Sequence, residues 1–319
     1  MGKFLLKTLF FSFVGFFVLL GIDWWITEGV QNSAYEDVNT WNMVIHGGMS
    51  NDILILGSSR AYRHFDPLYI EEQLGLSAII LGNSDAKIDF LTFALNLYLE
   101  KNSKPQIIFW VLDFDSFEKS NEIQDYQKFL PFVSTNSVKE YLVEKRLISN
   151  LELMVPLSRY AHWTRLKWEG LKGKVNEGNW TRGFYPSRSE WDKEFDDKFR
   201  RNANTTLFFP DDSLIWEFQQ RLKDLEQEGV KSIFILPPYL LKSDLQYLNQ
   251  FEIVKSFKLI AKQINGDFLN YGESTIIDKE DYFYDFYHMN YKGVALFNEI
   301  LIEDLKNILD LKDSLKVSK

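Results

Sequence analysis

Four short apolar runs constrain this chain more than any other feature. DILIL (52–56), SAIIL (77–81), IIFWVL (107–112) and VKSIFIL (230–236) each have the length of a buried strand. Each stops abruptly: at Gly57-Ser58-Ser59, at Gly82-Asn83-Ser84, at Asp113 and at Pro237-Pro238. Residues 66–75 and 88–99 have helical spacing between the first three runs. Before the fourth, DDSLIWEFQQRLKDLEQEG (211–229) opens with acidic residues and closes on Gly229, as helix ends do. Further helices are expected around 250–263 and from Gly293 to about 311. This alternation predicts an α/β domain with a mainly parallel sheet. Ligands of such sheets sit at the carboxyl ends of the strands, so Ser59, Gly82 and Asp113 are expected along one edge.

Residues from about 120 to 205 break the rhythm. They include Trp163, Trp168, Trp180 and Trp191 and turn-rich pieces such as GNWTRGFYPSRS (178–189). This stretch is expected to be an insertion or cap, mostly helical and irregular, whose aromatic rings either pack it or stack on sugar faces. At the N-terminus, Lys3 and Lys7 precede TLFFSFVGFFVLLGIDWWI (8–26), interrupted only by Asp23. The run has bilayer-crossing length. Trp24 and Trp25 suit an interfacial belt, and the leading lysines favour a cytoplasmic N-terminus. No small-x-small cleavage site follows, so an uncleaved anchor is preferred to a signal peptide. The expected organisation is an anchor at 1–28, a polar stalk at 29–50 and an α/β domain at 51–319 carrying the aromatic-rich insertion, outside the cytoplasm.

Composition removes several functions. The net charge of −9 disfavours a nucleic-acid partner, whose phosphates call for clustered Lys and Arg. With no cysteine there is no disulfide, thiolate metal site or Cys nucleophile. Four histidines (His46, His64, His162, His288) leave little scope for a multi-histidine metal centre, and no cofactor is implied.

Near the C-terminus Asp285 and His288 stand three residues apart in YDFYHMNYKG (284–293), before the final helix. A catalytic serine needs a base within reach, and the base needs a carboxylate to fix its tautomer. Ser59, Asp285 and His288 supply all three in that chain order. The simpler roles are Ser59 as a helix cap, Asp285 as the cap of the final helix and His288 as a packed residue. Arg60 is a candidate for an anionic substrate group or else a residue of the helix surface, Asp113 is a further substrate-binding candidate that closes the third strand, and His64 is expected to be structural.

These residues resemble the SGNH/GDSL hydrolases. Gly57-Ser58-Ser59 looks like the GDS-type block with Ser58 in place of the acidic residue, Gly82 like the glycine of the second block, and Asp285-x-x-His288 like the last block. The resemblance covers roughly 52–115 and 211–310 and implies a three-layer α/β/α fold. It implies Ser59 as nucleophile, His288 as general base, Asp285 as its orienting carboxylate, and an oxyanion hole from the N–H groups of Ser59 and Gly82, with Asn83 as a possible substitute donor. The nearest members are membrane-anchored proteins of cell-envelope modification, resembling the teichoic acid D-alanyl transfer and alginate acetylation proteins. They imply an extracytoplasmic esterase or O-acyltransferase, with acetyl as acyl group, a cell-surface glycan as substrate and a multi-span membrane acyltransferase as partner. One departure stands out: the third block's Gly-x-Asn-Asp is replaced by LDFDS (112–116), without the asparagine. Loss of one oxyanion donor costs about 10²–10³ in rate. That leaves a non-catalytic envelope binding or assembly protein as the alternative. A third reading takes Asp113 and Asp115 as the Asp-x-Asp of a Mg²⁺-dependent haloacid-dehalogenase-type phosphatase, although two strand–helix units precede this strand.

Overall fold

The computed structural model describes residues 1–172, 181–191, 207–240 and 247–309. The chain divides into two units, Met49–Ser120 with Thr181–Lys319 and Met1–Gly48 with Asn121–Trp180.

The α/β unit is built on the apolar runs. They form β1 (Ile53–Gly57), β2 (Ala78–Gly82), β3 (Ile107–Val111) and β4 (Lys231–Leu236). A fifth strand, β5 (Asp267–Asn270), completes a sheet of order β2-β1-β3-β4-β5, parallel throughout. No apolar run marks β5 in the sequence, because it is an edge strand, half-buried at every position. The helices of this unit are α3 (Ser59–His64), α4 (Pro67–Leu74), α5 (Ile88–Leu99), α9 (Asp212–Gln227), α10 (Gln250–Gln263) and α11 (Tyr291–Ile308).

Continuous apolar runs are what a sheet covered on both faces demands. Ile53, Ile55, Phe109 and Ile235 join one cluster with Phe65 of the α3–α4 link and Phe297 and Leu301 of α11. Alternate residues enter another: Trp110 meets Phe218 of α9 at 4.8 Å, and Phe218 meets Phe234. The Trp110 indole N–H is satisfied by the Ser232 hydroxyl at 3.2 Å. Residues 181–191, from the aromatic-rich stretch, run along this unit. The Ile80 N–H donates to the Arg182 carbonyl at 3.0 Å and the Tyr185 N–H to the Tyr62 carbonyl at 2.7 Å, which covers the outer edge of β2. Gly183 lies there with φ +82, where a Cβ would stand 2.2 Å from the Ile80 carbonyl oxygen. Trp191 packs edge-on against Phe286.

The other unit holds α1 (Gly2–Gln31), α2 (Glu36–His46), a 3₁₀ turn at Tyr126–Phe132, α6 (Asn136–Glu144), α7 (Asn150–Met154) and α8 (Thr164–Lys172). Helix α1 is long and apolar enough to cross a membrane, and its side chains are exposed over the first 22 residues. The residues expected as a stalk form α2 and pack: Trp41 is buried against Phe129, and the Asn42 amide donates to the carbonyls of Val30 and Ser33 at 3.0 and 2.8 Å. Trp163 packs on Tyr126, whereas Trp168 is exposed. Trp180 and the stretch 192–205 of the expected insertion lie outside the described residues, as do residues 310–311 of the final helix.

Gly57 sets how closely β1, β3 and α3 approach. A Cβ there would stand 2.7 Å from the Val111 Cβ and 2.8 Å from the Ala61 Cβ. Gly57→Ala is therefore expected to lower stability by about 1–3 kcal/mol, read as a fall in Tm. Adding Ala61→Gly should recover part of the loss, because it removes one of the two crowding atoms.

Candidate active site

The register pairs Gly57 with Gly82, so the turns after β1 and β2 emerge side by side at the carboxyl edge. Ser58, in extended conformation, caps α3: its hydroxyl accepts from the Arg60 N–H at 3.2 Å. The capping role thus belongs to Ser58 and leaves the hydroxyl of Ser59, the first helical residue, free of it.

Ser59 Oγ lies 2.7 Å from His288 Nε2, across 229 residues of chain. On the other side of the ring, His288 Nδ1 lies 2.8 Å from Asp285 Oδ2. A carboxylate only accepts, so Nδ1 carries the proton and Nε2 receives the Ser59 O–H. The His288 and Asp285 side chains are 20% and 19% exposed, so the pair is partly accessible to solvent.

The Asp-x-x-His spacing works because the segment is a closed local structure. Asp285 Oδ1 accepts the backbone N–H groups of Tyr287 and His288, both at 2.8 Å. Phe283 bridges Met289 in antiparallel fashion, and the Tyr284 N–H donates to the His288 carbonyl at 3.0 Å. Phe283, Phe286 and Met289 point into the core, which turns Asp285 and His288 outward. Asn290, not Asp285, caps α11: its Oδ1 accepts from the N–H groups of Lys292 and Gly293. Tyr284 stacks on the imidazole at 5.5 Å and 8°, and burial followed by the charge of Asp285 pushes its phenol pKa up, so it stays neutral beside the base.

Asn83 is fully buried and its N–H donates to the Gly57 carbonyl at 3.2 Å, so an oxyanion contact from this residue falls to its side-chain amide. Gly82 sits close under Tyr62, where a Cβ would come within 2.9 Å of the ring. The Tyr62 hydroxyl in turn meets that of Ser84 at 3.0 Å.

Arg60 is placed differently from the expectation of a substrate contact. It is 3% exposed, ion-paired with Asp113, and donates to the carbonyls of Leu112 (3.0 Å) and Pro237 (3.3 Å). It braces the ends of β3 and β4, and Asp113 is held by it. Asp115 is held by Lys87 at 2.9 Å and accepts from the Tyr247 hydroxyl at 3.0 Å. Burial opposes the Lys87 charge, but Asp115 and Asp85 outweigh it and raise its pKa. Among the described residues no three acidic or imidazole groups converge as a metal site would require.

His64 was expected to be structural, and its position ties it to the site. It is fully buried at the end of α3, its ring 6.0 Å from that of His288. Its Nε2 accepts the N–H of Met289, the residue after His288, at 3.0 Å. The Asn298 amide holds the His64 carbonyl at 2.7 Å, and its oxygen accepts from the Asp66 N–H, tying α3 to α11. The aromatic density of YDFYHMNY is the only sequence signal for Tyr284, and none connects His64 to Met289. No protein-family model matches the chain, and no curated protein matches it.

Burial, reinforced by the neighbouring His288 and the guanidinium groups of Arg60 and Arg63, holds the His64 pKa well below its ordinary 6.5. The unfolded chain therefore binds a proton that the folded chain refuses. The contribution of His64 is complete above pH 6.5 and is lost as pH falls below it, by up to about 1.4 kcal/mol per pH unit. Melts between pH 5 and 7 should show a shallower pH dependence for His64→Gln, whose side-chain oxygen can still accept the Met289 N–H.

Proposed function

We propose that this chain is a membrane-anchored serine esterase or O-acyltransferase of SGNH type, acting on an acylated cell-surface glycan outside the cytoplasm. The observation that carries the reading is the continuous hydrogen-bond chain from Ser59 Oγ through His288 to Asp285. Ser59 attacks an acyl carbonyl while its proton passes to His288 Nε2. Asp285 keeps the ring in the required tautomer and stabilises the imidazolium. The tetrahedral oxyanion is met by the N–H groups of Ser59 and Gly82 and by the side-chain amide of Asn83, which takes the place of the third-block asparagine. Collapse returns the proton from Nε2 to the departing oxygen and leaves the acyl group on Ser59. Water or a sugar hydroxyl, deprotonated by the same nitrogen, then takes it.

Two helix groups, α3 with α4 and α11, and α5 with α9 and α10, accord with the three-layer arrangement of that family. The anchor reading is supported by the packing of α1 beyond its apolar run. Asp23, Ile26, Gly29 and Val30 are buried within their unit, so cleavage after the run would remove residues the unit is built on. The leading lysines favour a cytoplasmic N-terminus, and the glycan then lies on the outer side. An acyl group delivered from the cytoplasm then calls for a multi-span partner, because one helix carries nothing across a bilayer. The Asp-x-Asp phosphatase reading has less support, since Asp113 and Asp115 are both engaged by cations.

A fluorophosphonate probe, read by intact mass, is expected to label the folded chain once. Ser59→Ala and His288→Ala should abolish labelling, and Asp285→Asn should slow it by about 10⁴-fold. Failure to label the folded wild-type chain would sink the catalytic reading in favour of a binding module.

A further inference from the structure

Helix α1 carries its own ruler. Its apolar run from Thr8 to Ile26 measures about 27 Å at 1.5 Å per residue, close to a hydrocarbon core of about 30 Å. Asp23 therefore lies within a turn of the outer end of that stretch. It is buried, and its partners are known. Its Oδ1 accepts the Leu157 N–H at 2.7 Å, and its Oδ2 accepts from Arg159 at 2.6 Å. One turn further on, the Thr27 hydroxyl accepts from Arg159 at 2.8 Å and meets the Tyr160 hydroxyl at 2.9 Å. A carboxylate at the boundary of hydrocarbon is tolerated when it is paired in this way.

These contacts fix the depth of residues that are distant in sequence. Segment 157–160 must sit at the outer boundary of any bilayer that α1 crosses. Helix α7 ends three residues before Leu157, so Met154 is within about 11 Å of that level. Leu151, Met154 and Val155 are exposed there, Met154 at 75%. Helix α8 is pinned beside the same turn. Gly170 packs so closely on α1 that a Cβ on Gly29 would fall 1.9 Å from its carbonyl oxygen, and a Cβ on Gly170 2.4 Å from that of Ile26. On α8, Trp168 and Leu171 flank Gly170 and are exposed. Large apolar side chains in water are common singly, but five around one level beside Trp24 and Trp25 form a patch.

We infer that α7, Val155 and the Trp168–Leu171 end of α8 form a second membrane-contacting element, which lies in the lipid headgroup region of the leaflet where α1 emerges. The occupant is lipid because the hydrogen bonds to Asp23 and the Gly29–Gly170 packing hold the patch at the level where the span ends. Interfacial Trp and Leu side chains suit that region. The unit would thereby be held by two elements and fixed in its tilt against the bilayer. The inference rests on α1 being a membrane span.

The absence of native cysteine makes the test direct. Single variants Met154→Cys, Trp168→Cys and Phe17→Cys of the full-length chain are labelled with a bimane fluorophore. Each is reconstituted into phosphatidylcholine vesicles with and without bromine atoms on the upper acyl chain. Bromolipid is expected to cause loss of fluorescence at all three positions, and aqueous iodide to quench the labels at 154 and 168 weakly. Bromolipid quenching at 17 with none at 154 and 168, together with strong iodide quenching there, would overturn the inference and leave the patch to a protein partner. No bromolipid quenching at 17 would overturn the membrane span itself, and the inference with it.

Discussion

The α/β unit depends on β1 being held between β2 and β3 with Gly57 at its carboxyl end. Parallel pairing on both sides brings three strand ends to one edge, and the missing side chain at Gly57 lets Ala61 of α3 and Val111 of β3 close directly on the end of β1. Ser58 can then cap the helix while Ser59 is presented at its first position. A larger residue at 57 would move the serine relative to everything the other strands bring to that edge.

Around that point the polar groups divide their work. Arg60, next to Ser59, is buried and ties β3 to β4 through Asp113, Leu112 and Pro237. A buried guanidinium with unmade hydrogen bonds would be costly, so its three partners explain its presence as a brace. His64 does the corresponding work on the other side. It stays neutral, accepts the Met289 N–H and thereby links the helix that bears Ser59 to the loop that bears His288. The 2.7 Å contact between Ser59 and His288 is thus held by a buried framework behind it.

The N-terminal unit follows a different constraint. Its helix α1 presents an apolar surface over most of its length, then meets buried partners from Asp23 onward. Asp23 and Arg159 are ion-paired with side chains only 12% and 10% exposed. Their ion pair and the Gly29–Gly170 approach join α1 to residues more than 130 positions later. The polar stretch that follows the apolar run is a packed helix with Trp41 buried in it, in place of the stalk its composition suggests.

The sequence by itself determined the four apolar strands, their parallel order of appearance, the anchor-length run and the Asp285-x-x-His288 turn, because each is a local pattern. Periodicity, capping residues and a two-residue gap between acid and base all act within a few residues of chain. Only the tertiary structure decided the rest. It brought Ser59 within reach of His288, gave Asn290 the helix cap, turned Arg60 inward and set His64 behind His288. It also added β5, whose half-buried residues carry no pattern of their own, and ran residues 181–191 along β2. These depend on contacts between residues tens to hundreds of positions apart, where burial and hydrogen-bond satisfaction outweigh local preference, and no short-range pattern in the chain records them.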